Sequence, residues 1–217
     1  MPSRKNKVIL PLDERIRRDL VFFYNPVLVS GLALAPVVMA ATNLRNALIL
    51  CVGIAILCTP VRFFGNLLIG YVPQRLRALV YALCAAGLMI PTVWVETYLF
   101  GTNITSYVGL CLPLLAVDSI VLSRTEIPGR ESLWDSLING ILTTIGFAVA
   151  ACLIGTIREI FSFGTILGKP ISGFAWTIPI SGLACGGFIV TALLAAFWQG
   201  AVNYIKKIIY RRRTLWK

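Results

Sequence analysis

The sequence predicts an all-α integral membrane protein with six transmembrane helices in a 3+3 inverted repeat, spans one and four being broken at Gly and Pro. Three observations predict this class. Of 217 residues, 58% are hydrophobic and 13% are charged, about half the charged share of an ordinary soluble domain. The apolar residues fall in long continuous runs, and one spanning helix takes about 20 of them. The basic residues gather at the two chain ends and in short connections. Backbone groups in lipid must be paired internally, which leaves helices or a closed barrel. Runs without alternation exclude the barrel.

Residues 1–20 form a basic, polar segment, expected in the cytoplasm, in which RKNK and DERIRRDL suggest a short interfacial helix. A polar stretch of this length ahead of the first span argues against a cleavable signal peptide. A six-helix membrane domain is expected over 21–205 and a basic cytoplasmic tail over 206–217. The first apolar run, Val27 to Ala41, is short and interrupted by Gly31 and Pro36. The second extends from about Ala47 to Gly70 and the third from about Ala78 to Phe100. The fourth, Tyr107 to Leu122, is short and carries Pro113. The fifth covers about Trp134 to Ile157 and the sixth about Phe174 to Tyr204.

Lysine and arginine counts orient the spans. With the N-terminus inside, only Arg45, Arg158 and Lys169 of the 20 basic residues fall outside. Arg62, Arg75 and Arg77 then belong to the first inner connection, and Arg124 and Arg130 to the second. Both termini are therefore expected in the cytoplasm. The net charge of +11 follows from this juxtamembrane clustering and does not imply a nucleic-acid partner; the expected surroundings are lipid.

Spans one and four resemble each other. GLALAPVVMAAT (31–42) and GLCLPLLAVDS (109–119) each present a glycine, a proline, small residues and a polar group. Three spans apart, they cross in opposite directions, and paired Gly/Pro-interrupted segments point to a functional centre near the midplane. Gly31, Pro36, Gly109, Pro113, Asp118 and Ser119 are the residues expected there, at the midplane or at a subunit contact.

Charges inside a span usually face the protein interior and serve a purpose. Asp118 in span four is the foremost. Asp135 opens span five, where a helix N-terminus favours an acid. Arg158 and Glu159 close it, readable as an interfacial pair. Glu96 lies near the outer end of span three, where interfacial solvation accounts for it. Five of the six cysteines lie within apolar runs, without CxxC spacing, and read as small buried residues. The chain has no histidine, which excludes a histidine-based triad, a haem histidine ligand and the usual zinc sites. No catalytic residue is identified. The residues themselves thus leave a transporter and a redox-complex subunit both open.

Several ordered motifs add a resemblance. NPVLVSGLALAPVV, LPLLAVDSIVLSRTE (112–126), Asp135 with Gly140, and IREIFSFGTILG (157–168) resemble the RnfE/NqrD family. These are membrane subunits of the Rnf electron transport complex and of the sodium-pumping NADH:quinone oxidoreductase. The resemblance implies a homologous six-span sister subunit of RnfA/NqrE type and further redox subunits as partners. It also implies a [2Fe-2S] cluster shared with the sister through two cysteines from each chain, flavins in partner subunits only, and coupling of electron transfer to sodium or proton translocation. The family's two cysteine positions are Ala35 and Ser119 here. Alanine cannot ligate iron and a neutral serine oxygen replaces thiolate poorly. Cys111 is the nearest alternative thiol. Cys51 and Cys58 share a helix face but lie about 10 Å apart along it, too far for one small cluster. Two other roles compete with an electron or ion path: an inverted-repeat secondary transporter of a small solute, and a cluster-free structural subunit.

Overall fold

The computed structural model describes residues 19–68, 71–101, 108–109, 111–118, 133–171 and 177–215. Six α-helices occur among them: α1 (Leu34–Ala40), α2 (Leu44–Leu68), α3 (Arg77–Phe100), α4 (Cys111–Val117), α5 (Leu133–Phe163) and α6 (Ala184–Leu215). The order is short, long, long, and then short, long, long again. Four are long and apolar enough to cross a bilayer: α2, α3, α5 and the Ala184–Arg211 portion of α6. A two-stranded hairpin, β1 (Thr165–Ile166) and β2 (Lys169–Pro170), follows α5, with Thr165 opposite Pro170. A 3-10 turn over Pro179–Gly182 leads into α6.

α2 lies at the centre. Half of its most apolar stretch is buried within the chain, against 17% for α3. Its neighbour α5 approaches closely because glycines face it. A Cβ built on Gly155 would sit 2.9 Å from Ala47 Cβ and 3.0 Å from the Asn43 carbonyl oxygen; one on Gly140 would sit 3.3 Å from Thr59 Cα. In lipid, association rests on such close packing, since an apolar face gains little by leaving lipid for protein. Asn43 starts α2 by accepting the Asn46 N–H through Oδ1 at 2.9 Å, as an N-cap side chain does.

The ends of α5 and α6 depart from the apolar runs. α5 continues past Ile157 to Phe163, because Arg158 and Glu159 find partners inside the protein. α6 begins at Ala184, ten residues beyond the expected Phe174, and carries Lys206, Lys207 and Arg211 on helix rather than on a separate tail. Lys206 Nζ stacks 4.5 Å from the Tyr24 ring centroid. Arg62, assigned to an inner connection by sequence, is buried within α2 and donates to the Asn139 carbonyl at 2.9 Å and to Thr143 Oγ1 at 2.8 Å on α5. The expected interfacial helix before Asp19 lies outside the described residues.

Candidate functional site

The first apolar run is broken where the sequence places glycine, and the reason is conformational. Gly31 takes φ +69° and Ala33 takes φ +55°, a left-handed region open to glycine and costly for alanine. Backbone turns over 24–32 precede the break, and α1 starts immediately after Ala33. Gly109 (φ +43°) stands two residues before α4 in the same way. The prolines do not make the breaks. Pro36 and Pro113 are each the third residue of a seven-residue helix, in the first turn, where a missing N–H costs nothing.

Asp118 joins the two segments. It stands just past the C-terminal end of α4, half-buried, and its Oδ1 accepts the Ala33 N–H at 2.9 Å. A carboxylate from the second broken segment thus holds the strained residue that opens α1. Of the other expected centre residues, Pro36 is buried and Ala35 exposed on α1, while Pro113 is exposed on α4. Ser119, Arg124 and Arg130 lie outside the described residues. Asp135 is exposed in the first turn of α5, where the helix dipole favours it.

The second polar feature is larger than the sequence suggested. Arg158 and Glu159 are not a pair with each other. Arg158 is fully buried and its guanidinium donates to five backbone carbonyls. Nη1 reaches Val38 at 2.6 Å and Ala41 at 3.1 Å; Nε reaches Ser181 at 3.0 Å; Nη2 reaches Gly182 at 3.1 Å and Leu183 at 3.2 Å. All five guanidinium donors are directed at carbonyls. Two of these belong to the C-terminal end of α1, where a cation is favoured by the dipole. The other three hold the turn before α6. A Cβ on Gly187 would lie 2.8 Å from Arg158 Cζ, so only glycine leaves room for the guanidinium there. Glu159 turns the other way: Oε2 accepts the Leu44 N–H at 2.9 Å and caps α2, while Oε1 accepts the Gly168 N–H at 2.9 Å and the Thr165 hydroxyl at 3.2 Å.

Asn25, singled out only as the start of a motif, is a third anchor. It is fully buried, its Oδ1 accepts the Val27 and Leu28 N–H at 3.0 Å, and its Nδ2 donates to the Gly146 carbonyl at 2.8 Å and to Val21 at 3.1 Å. It fixes the first segment to the middle of α5, where Gly146 leaves space for the Leu20 carbonyl and Pro26. Glu96, expected to be interfacial and solvated, is also fully buried. The signal for all three was a polar residue within an apolar run; its partner was not readable.

The donor set does not fit a cluster with two thiolates from this chain. Ala35 offers a methyl group, and no group of three or more His, Cys, Asp or Glu side chains comes together among the described residues. Cys111 opens α4, half-buried. Cys58 is part of the apolar core, and Cys51 faces Cys152 on α5 with the sulfurs 4.0 Å apart.

Comparison with known proteins agrees with this architecture. A family model described as "Rnf-Nqr subunit, membrane protein" matches residues 15–195. A subunit of the ion-translocating oxidoreductase complex of Shewanella piezotolerans is 28% identical over 198 residues, covering 84% of this chain and 85% of the relative. The corresponding subunit from Shewanella oneidensis is 30% identical over 192 residues, covering 79% and 80%. The chain belongs to the Rnf-Nqr family of membrane-protein subunits.

Proposed function

We propose that this chain is a membrane subunit of an ion-translocating oxidoreductase complex, the assembly its relatives are named for. With a homologous sister subunit it forms the intramembrane path for electrons, ions or both. The observation that carries the reading is the Asp118–Ala33 bond between the two broken segments. A half-buried carboxylate at the meeting point of two interrupted helices is what a transmembrane path needs and what an inert anchor does not. The repeated short–long–long order supports six spans in an inverted 3+3 arrangement, with both termini on the cytoplasmic side of the cell membrane.

Because Ala35 and Ser119 replace thiols, the sister subunit or another chain supplies the iron ligands if a cluster forms at this centre. The chain's own part is then to shape the site and insulate it. Affinity purification of the chain from native membranes tests the assembly. A six-span sister and redox subunits are expected to come with it. Recovery of the chain alone, with full transport of a small solute after reconstitution, would show the transporter role instead. Electron paramagnetic resonance of the reduced complex, repeated with every cysteine of this chain replaced by serine, tests the ligands; an unchanged signal is expected.

A further inference from the structure

Glu96 sits twentieth in the 24-residue helix α3, one turn from its end, yet it is fully buried. Neither carboxyl oxygen has a hydrogen-bond partner among the described residues. Apolar side chains share its place beside Gly53: a Cβ built there would meet Glu96 Oε1 at 2.7 Å, Leu112 Cδ2 at 3.0 Å and Leu115 Cδ2 at 3.7 Å. The carboxyl therefore lies between α2, α3 and the second broken helix α4. Gly53 is nine residues into α2, so the site is roughly 13 Å along that helix from its start. Thr92, one turn earlier on α3, is also fully buried, and its hydroxyl donates to the Leu88 carbonyl at 2.7 Å. The titratable groups on the packed elements are Arg45, Cys51, Cys58 and Arg62 on α2, Cys111 on α4, and Asp118 just beyond it; none hydrogen-bonds to Glu96.

We propose that Glu96 is an intramembrane proton-binding site. An isolated carboxylate in such a shell is costly unless it is neutralised. A sodium ion is a poor candidate to neutralise it, since hard cations take several oxygen ligands, while no group of three or more His, Cys, Asp or Glu side chains comes together among the described residues and the side chains that share the Gly53 face with the carboxyl are Leu112 and Leu115. A proton needs one oxygen and no further ligand. The step is a simple equilibrium: the carboxylic acid releases a proton and becomes carboxylate, or takes one up, with no other reactant. The site abuts α4, the helix just before Asp118, so a shift of the broken segment changes the surroundings of the carboxyl. That use in translocation rests on the complex reading above; proton binding itself does not.

The test uses the full chain alone in lipid nanodiscs. The carbonyl stretch of a protonated carboxylic acid is expected in the infrared spectrum of the native chain and absent from Glu96→Gln. It should be the same in sodium and potassium buffers. Dicyclohexylcarbodiimide, an apolar reagent for protonated carboxyls, is expected to label Glu96 in the native chain, read by peptide mass spectrometry. Glu96→Gln should also melt at the same temperature or higher, because no partner is lost. Identical infrared spectra for the two chains together with no labelling would overturn the proposal. So would a sodium-dependent loss of the band and of labelling, which would make sodium the occupant. Failure of partner subunits to co-purify leaves these outcomes untouched and bears only on the complex.

Discussion

Arg158 shows how a single charge is made tolerable in an apolar setting. Among the described residues five carbonyl dipoles, and no carboxylate, meet its guanidinium. Hydrogen bonds to a charged donor are worth more than neutral ones, about 1.5–3 kcal/mol each, and removing the donor strands the carbonyls. Arg158→Ala is expected to cost at least ~3 kcal/mol, visible as a lower melting temperature in detergent. Arg158→Lys should fall between, since an ammonium has three donors and cannot match the planar fork. Asn25 gives a sharper contrast. Asn25→Asp keeps the oxygen that accepts from Val27 and Leu28, but places a second oxygen against the Gly146 carbonyl. It should destabilise as much as Asn25→Ala, by about 2 kcal/mol. If the aspartate variant is as stable as the native chain, the Gly146 contact does not hold the segment.

At the scale of elements, the packing of α2 on α5 is the most extensive between described helices, and glycine sets it. Gly155→Leu must separate the helices, since the first added carbon already meets Ala47 and the Asn43 carbonyl. Overpacking of this kind costs about 1–3 kcal/mol, checked by melting temperature and by yield of folded protein. The same register brings Cys51 and Cys152 to 4.0 Å. A short thiol-to-thiol reagent such as dibromobimane should therefore bridge them within one chain, and peptide mass spectrometry should find the bridged pair. A bridge from Cys51 to Cys58 instead would contradict the α2–α5 register.

For the whole molecule, the outward faces of the long helices matter. α3 and α6 bury only 17% and 22% of their most apolar stretches within the chain, and Trp94, Tyr98, Phe188 and Phe197 are exposed on them. Lipid or sister-subunit helices would cover these faces. The distribution of basic residues makes the orientation testable. A reporter that fluoresces only in the cytoplasm, fused after Lys217, should be bright; a periplasm-active phosphatase fused at the same place should be silent. The opposite result would invert the topology.

The sequence by itself determined the solvent, the long spans and the two interrupted segments. Apolar runs, the glycines before Leu34 and Cys111, and the scarcity of charge are local properties that composition carries directly. The resemblance carried by the broken-helix motifs and the stretch 157–168 also held at the level of the family. The tertiary structure decided what each polar residue does. Adjacency in sequence suggested that Arg158 and Glu159 pair, yet one clamps α1 to the turn before α6 and the other caps α2. Nearness to a helix end suggested that Glu96 is solvated, yet α2 and α4 enclose it. Within lipid a polar group is governed by the partners that packing brings to it, and those partners lie 85 residues away for Asp118 and Ala33 and 121 for Asn25 and Gly146.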